Sequence, residues 1–209
     1  MSVDIVHAQS AVQFDVAAQL HEAGITEGFL STLGTSFLST LYKGVAAADN
    51  SGVLVAVEAS EVLGFISYSR DVKACYKSVL KSRWPTLTVA MIPNALKPSF
   101  YKMVFETLSY PKQHHGTDQQ QASAPDMEEL RPELLSMAVG ENSRGKGVGK
   151  LLVAAVDTEM RCMDLPGYYV VTHAIDERSN GFYQGRGFVG IRQYQSHGKP
   201  MSEYYKELS

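Results

Sequence analysis

The chain has 209 residues, of which 44% are hydrophobic and 20% charged, enough for one domain with a substantial core. Its formal net charge of -3 offers no excess of positive charge for a polyanion, so nucleic acid is disfavoured as a partner. No run of about 18 apolar residues predicts a membrane span, and no basic segment precedes an apolar run at the start, so we expect a cytoplasmic protein without a membrane partner.

The first third of the chain alternates strand-like and helix-like patterns. Residues 3–8 predict a strand, residues 12–22 a short helix and residues 29–45 a longer helix. Gly34 predicts close packing or a bend in the longer helix, because glycine costs roughly 1 kcal/mol relative to alanine there. Residues 52–59 and 62–68 are rich in Val, Leu and Ile and predict a hairpin, which starts an antiparallel sheet.

The middle of the chain predicts a helical insertion and then a loop. From about residue 71 to 110 a helical pattern is interrupted by three prolines (Pro85, Pro93 and Pro98), which predicts two or three short helices. Residues 111–126 are poor in apolar side chains and predict a mobile surface loop within a single domain over 1–209. His114 and His115 in this loop are interpreted as solvated. Cys75 and Cys162 lie far apart, so no metal site is expected.

The last third contains the segment with the strongest binding signal. It predicts strands at 134–139, 168–174, about 189–195 and 202–206, with helices from the Gly-rich loop 140–149 to about 163 and at 179–185. The loop thus lies between a strand and an amphipathic helix, whose first amides are unsatisfied and carry partial positive charge. Its glycines let the backbone approach an anion, and Arg144, Lys146 and Lys150 add positive charge. The loop is therefore predicted to bind phosphate.

Three phosphate-binding patterns compete for this loop. The dinucleotide pattern GxGxxG is not satisfied, because no glycine lies three residues after Gly147 or Gly149. The nucleotide pattern GxxxxGK[ST] matches Gly140, Gly145 and Lys146, but Gly147 stands where the magnesium-binding hydroxyl belongs. The pattern [RQ]xxGx[GA] is satisfied in full by the segment from Arg144 to Gly149.

That third pattern is the pyrophosphate loop of the GNAT superfamily of acyl-CoA N-acyltransferases, which the chain resembles. The apolar triplet 137–139 before the loop and the segment 180–188, in which Tyr183 stands four residues before Gly187, are similar to the family in order and spacing. The resemblance implies an α/β fold with a mixed, mostly antiparallel, twisted sheet of about six to seven strands. Helices flank this sheet, and its central parallel strands, ending near Val139 and Ala174, splay apart.

The resemblance also implies acetyl-CoA as co-substrate, with its pantetheine arm between the splayed strands. Cofactor-binding residues would be the backbone of the triplet, the pyrophosphate loop and two residues near the second strand: Met137, Ala138, Val139, Arg144, Gly145, Lys146, Gly147, Val148, Gly149, Lys150, Asp176 and Asn180. Asp176 stands where the family often has an asparagine bonded to the cofactor, and Asn180 could compensate for that change.

Catalysis in this family proceeds by direct attack of an amine in a ternary complex, so neither cysteine is assigned a nucleophilic role. Tyr183 matches the family's tyrosine acid by position. The branch that acetylates protein N-termini commonly has a glutamate twelve residues before this tyrosine, where this chain has Val171. His173 would share the strand face of Val171 and is the predicted base, with Glu133 as an alternative.

The resulting prediction is an N-acetyltransferase for a primary amine of a small molecule or sugar. A protein or peptide N-acetyltransferase, a non-catalytic acyl-CoA sensor and a degenerate P-loop nucleotide binder remain alternatives. Candidates for the acceptor mouth are Tyr68, Arg70 and Tyr194. The sequence leaves the choice between a monomer and a homodimer open.

Overall fold

A computed structural model describes residues 2–25, 30–91, 130–196 and 198–208. Its centre is a seven-stranded sheet in the order β1-β2-β3-β4-β5-β7-β6. The pair β4–β5 is parallel, and every other neighbouring pair is antiparallel. The strands are β1 Asp4–His7, β2 Ser51–Glu58, β3 Glu61–Ser69, β4 Glu133–Val139, β5 Gly167–His173, β6 Val189–Ser196 and β7 Lys199–Glu207. The predicted fold class is confirmed.

Helices cover both sides of the sheet. They are α1 Ala11–Gly24, α2 Thr35–Ala47, α3 Val72–Met91, α4 Val148–Cys162 and α5 Glu177–Gln184, with short 3-10 helices at Leu30–Leu33 and Glu141–Ser143. One core layer joins α1 and α2 to β2 and β3, through residues such as Leu38 and Phe65. The other joins α4 to the opposite side, through residues such as Leu152 and Ile66. None of the helices in the described ranges combines the length and apolar character needed to span a bilayer.

A buried polar pair ties α1 to α2. His21 Nδ1 lies 2.5 Å from the Tyr42 hydroxyl, and both side chains are almost fully buried. Burial lowers the pKa of His21 to about 4, so the imidazole is neutral at physiological pH. A neutral pair can be buried without an uncompensated charge, which fits its place beside Phe65 in the core.

Two predicted helices differ from those observed. The helix predicted over 29–45 begins only at Thr35, because Gly34 has a φ of 83°, a left-handed conformation that ends the preceding 3-10 turn. The predicted short helices over 71–110 are, as far as the described residues extend, one helix from Val72 to Met91 that continues past Pro85. Buried Cys75, Val79 and Leu87 pack it on the core, which offsets the helix-breaking tendency of proline. The predicted loop 111–126, with His114 and His115, lies outside the described residues.

Candidate functional site

The two parallel central strands pair only at their first residues. Glu133 is opposite Tyr169 and Leu134 is opposite Val170, and the recorded pairing ends there. On its other edge β4 stays paired to β3, with a register shift that skips Leu135. From Leu135 to Val139 the β5-facing edge of β4 therefore has no ladder partner among the described residues. This confirms the predicted splay and leaves backbone groups available to a ligand between the strands.

The Gly-rich loop follows β4 and opens α4. Gly145 and Gly147 have φ values of 78° and 82°, which favour glycine, and a Cβ on either would meet no atom within 4 Å. Gly147 is the N-cap of α4 and has no side-chain capping bond. The first bond of the helix runs from Leu151 N to Gly147 O at 3.1 Å, so the amides of residues 148–150 precede it. Open space thus lies beside unsatisfied donors at the positive end of a helix.

Side chains around this loop add charge and fix its position. Arg144, Lys146 and Lys150 are exposed, and Arg144 Nε donates to the carbonyl of Val139 at 3.3 Å. A Cβ on Gly149 would lie 3.2 Å from the ring of Phe182 in α5. The absence of a side chain at Gly149 therefore lets α5 pack closely against the start of α4.

The carboxyl end of β5 is closed by Asn180 of α5. The Nδ2 of Asn180 donates to the carbonyls of His173 and Ala174 at 3.0 and 3.1 Å. Its Oδ1 accepts from Thr172 Oγ1 at 2.5 Å and from the Tyr204 hydroxyl at 3.0 Å. Both N–H donors and both acceptor positions of the Asn180 amide are used by these bonds, so Asn180 fixes the end of β5. Its contact with a cofactor stays a prediction.

Asp176 is the N-cap of α5 and accepts a hydrogen bond from Ser179 N at 3.1 Å. Burial acts to raise the pKa of Asp176, but hydrogen bonds from Ser179 and Arg178 bring it below its ordinary value. Asp176 is therefore a carboxylate at neutral pH and can accept but not donate. A cofactor contact through Asp176, also still a prediction, would need a donor on the ligand.

Tyr183 lies on the α4 side of the sheet in an aromatic cluster. It is 6% exposed and makes edge contacts with Phe182 and Phe188, at ring-centroid distances of 5.3 and 5.4 Å. Burial raises the pKa of Tyr183, and the charge of Asp176 adds to this effect. The hydroxyl is therefore protonated at neutral pH, the state that a general acid requires.

The opposite side of β5, β7 and β6 carries a charged cluster, and we call this side the distal face. It is defined by Tyr169, Val171, His173, Arg192 and Glu203, whose strand positions alternate with those packed under α4 and α5. Glu203 is opposite Val171 and is 2% exposed. Burial opposes its ionisation, but two arginines bonded to it hold the pKa of Glu203 below its ordinary value.

Arg131 connects this carboxylate to the point where the central strands pair. Its guanidinium bonds Glu203, donates from Nε to Glu133 at 2.9 Å, and lies 4.8 Å from the ring centroid of Tyr169. Burial raises the pKa of the Glu133 carboxyl despite Arg131, and the charge of Glu203 adds to the increase. Glu133 is thus a more basic carboxylate than usual at the pairing point of β4 and β5.

The residues predicted at the acceptor mouth lie in different parts of the structure. Tyr68 is not at an acceptor mouth, because it is buried on the α4 side and its hydroxyl donates to Glu159 at 2.8 Å. Arg70 follows β3 directly, and Tyr194 lies under the guanidinium of Arg192 at 5.2 Å. His173 is on the distal face with Val171, as predicted, whereas Tyr183 is on the other side.

Sequence reasoning missed Arg131, Arg192 and Glu203. Their charges come together from separate strands, and Glu203 looks like an ordinary strand residue in the sequence. The predicted strands 168–174 and 202–206 contain Val171 and Glu203, which are directly opposite each other in the structure. Pairing these two strands in the sequence would have placed Glu203 beside Val171.

Comparisons with known proteins agree with this geometry. The acetyltransferase (GNAT) family model matches residues 109–188. A search of curated proteins found no match. Three solved structures share the fold. A protein from Desulfovibrio desulfuricans assigned to the GNAT family has a TM-score of 0.61 and 13% identity, with 100% of both chains covered. The ribosomal-protein-S18-alanine N-acetyltransferase from Escherichia coli has a TM-score of 0.58 and 8% identity, covering 100% of this chain and 95% of that one, and a chain of the NatC complex bound to Gag peptide and CoA has a TM-score of 0.57 and 14% identity, covering 100% of both chains.

At these identities the solved structures show the fold alone, while the family model covers β4, the Gly-rich loop, α4 and the segment to Phe188. The splayed strands and the loop lie within that match. Residues 109–188 therefore match the acetyltransferase (GNAT) family model, and the whole chain shares its fold with the three solved structures.

Proposed function

We propose that the chain transfers an acetyl group from acetyl-CoA to a primary amine of a small molecule or sugar, by direct attack in a ternary complex. The observation that carries the proposal is the pairing of β4 and β5, which ends at Leu134 and Val170 and leaves a gap that leads to the amides opening α4. A diphosphate at those amides and a pantetheine arm in the gap fit this arrangement. The NatC chain of similar fold was solved with CoA.

The cofactor residues follow from this placement. Amides from Gly145 to Lys150 would hold the diphosphate, with Arg144 nearby, and the unpaired edge of Met137, Ala138 and Val139 would bond the pantetheine. Arg144 now bonds the Val139 carbonyl and would release it to the ligand. We assign Asn180 the role of orienting the end of β5.

The chemistry requires a neutral amine. An amine with a pKa of about 10.4 costs roughly 4 to 5 kcal/mol to deprotonate at pH 7, so a proton acceptor on the amine's side lowers the barrier. Glu133 and His173 are the two candidates, and we place Glu133 first because it lies where the strands pair and because burial raises its pKa. Tyr183, on the cofactor side, would protonate the departing thiolate.

Calorimetric titration tests the binding step. We expect acetyl-CoA to bind and ATP with magnesium not to bind, because Gly147 replaces the hydroxyl that a P-loop needs. Binding of ATP without binding of acetyl-CoA would overturn the proposal.

Release of free thiol over a panel of amines tests the transfer step. We expect turnover with amines of small molecules or sugars. Turnover restricted to peptides with a free α-amine would replace the acceptor class. Binding of acetyl-CoA without thiol release for any amine of the panel would instead identify a non-catalytic acyl-CoA sensor.

A further inference from the structure

Two arginines on the distal face share one buried carboxylate. Glu203 accepts from Arg192 Nε at 2.6 Å through one oxygen and from Arg131 through the other. Glu203 has 3% of its side chain exposed, whereas Arg131 and Arg192 have 40% and 49% exposed. The carboxylate is therefore used inside the protein, while both guanidinium groups still reach the surface.

Arg192 keeps free donors in a fixed orientation. Its recorded hydrogen bond uses Nε, so the N–H groups of its two terminal nitrogens have no hydrogen-bond partner in the described ranges. The ion pair and the ring of Tyr194, 5.2 Å from the guanidinium, hold the group in place. A planar guanidinium oriented in this way is suited to bidentate recognition of a carboxylate or phosphate, and little conformational entropy is lost on binding.

The cluster lies on the side of the sheet opposite the proposed cofactor site. In the proposed transfer the cofactor would occupy the α4 side and the gap, so the amine would approach from the distal face. Arg131 reaches from Glu203 to Glu133 and Tyr169, which are paired where β4 and β5 meet. The two arginines and two glutamates carry no net charge while Glu133 is ionised, and a net positive charge once Glu133 has taken a proton.

We propose that Arg192, with Arg131 beside it, receives an anionic group of the acceptor, so that the preferred acceptors are primary amines that also carry a carboxylate or phosphate. This inference rests on the proposed acetyl transfer. If Arg192 did no more than neutralise Glu203, its replacement would change stability but not the choice of acceptor.

Matched acceptor pairs test the inference by the rate of thiol release. Glucosamine 6-phosphate against glucosamine, and Nα-acetyl-lysine against its methylamide, differ by one anionic group at similar amine basicity. We expect kcat/KM to be about 10- to 100-fold higher for the anionic member of at least one pair, because a charge-assisted hydrogen bond contributes an effect of about this size. A difference in kcat/KM within the glucosamine pair would indicate recognition of phosphate, and a difference within the lysine pair would indicate recognition of carboxylate.

Variants of Arg192 test whether this residue causes the preference for anionic acceptors. In Arg192→Gln the preference should fall to within about threefold of unity, with little change for the neutral member, and Arg192→Lys should retain part of it because the charge remains. Lys77→Gln removes an exposed positive charge on α3 and should leave the preference unchanged. Equal kcat/KM within both pairs, or a preference that survives in Arg192→Gln, would overturn the inference.

A binding measurement covers the case in which no tested amine is acetylated, an outcome that counts against the transfer reaction itself. With the cofactor site saturated by CoA, inorganic phosphate should raise the Tm of the wild type more than that of Arg192→Gln. Equal increases in Tm would overturn the anion site, whatever the fate of the transfer proposal.

Discussion

The two sides of the gap between β4 and β5 are built from different groups. On the α4 side the proposed binding groups are backbone amides in one continuous stretch, shaped by the positive φ of Gly145 and Gly147. On the distal face they are charged side chains from separate strands, linked through Arg131. A backbone site depends on local conformation, whereas a side-chain site depends on every partner being in place. The cofactor side should therefore tolerate side-chain changes that disable the distal face.

The largest effect is expected at Glu133. Glu133→Gln should lower kcat/KM by about 10²- to 10⁴-fold with cofactor affinity unchanged, because it removes the proposed proton acceptor. In the wild type, kcat/KM should decrease as pH falls through the pKa of Glu133, which burial holds above its usual value, since a protonated carboxyl cannot accept the proton. The pH profile of the variant should lack that limb. If His173→Gln removes the limb instead, the role belongs to His173.

The next effect concerns Tyr183, the proposed acid on the proposed cofactor side. Tyr183→Phe should lower kcat by about 10²-fold and leave the Kd of acetyl-CoA unchanged. Tyr168→Phe is the matched control, because Tyr168 is in the same aromatic cluster but its hydroxyl donates to Asp157 at 2.8 Å. We expect it to lower stability without a comparable loss of kcat. Unchanged turnover in Tyr183→Phe would remove this residue as the acid.

A smaller effect is expected in the loop. Gly147→Ala should raise the Kd of acetyl-CoA by about 10-fold, because alanine is strained at this φ and its Cβ enters the space proposed for the diphosphate. Gly198→Ala provides the control, since Gly198 has a φ of 73° and equally open surroundings in another turn. Both should lower Tm by similar amounts. Equal Kd values for the two variants would contradict the loop assignment.

The smallest effect is expected on stability. Glu203→Gln should lower the free energy of unfolding at pH 7 by about 1 to 2 kcal/mol, a modest value because both arginine partners are partly exposed. The folded pKa of Glu203 is lowered, so its stabilisation is present above the unfolded pKa and is lost as pH falls through the folded pKa. Urea unfolding should show the difference from wild type shrinking in acid. A difference independent of pH would show that the ionised carboxylate of Glu203 does not stabilise the fold.

These contrasts explain which features could be predicted from the sequence. The strand, Gly-rich loop and helix from residue 133 to 162 are local in sequence, so spacing alone located the loop and the family pattern predicted the splay. The parallel central pair followed from the same resemblance. Gly34 predicted close packing or a bend within one helix; in the structure it has a φ of 83° and lies between two helical segments, with no atom near a Cβ placed on it.

The distal face could not be predicted in the same way. Glu203 meets Arg131 across 72 residues, and a charged residue in a strand is normally exposed. Tyr68 was misplaced because side-chain direction on β3 depends on register, which sets its hydroxyl on Glu159 of α4. The hydrogen bonds of Asn180 to Thr172 and His173 depend on how α5 packs against β5, which sequence spacing does not give, and its contact with a cofactor stays a prediction.

The most direct test is a crystal structure of the protein with bound CoA. We expect diphosphate oxygens within about 2.7–3.2 Å of the amides that open α4, and a pantetheine arm alongside the unpaired edge of β4. A cofactor bound elsewhere, with the turn from Gly145 to Gly147 empty or filled by side chains, would contradict this expectation.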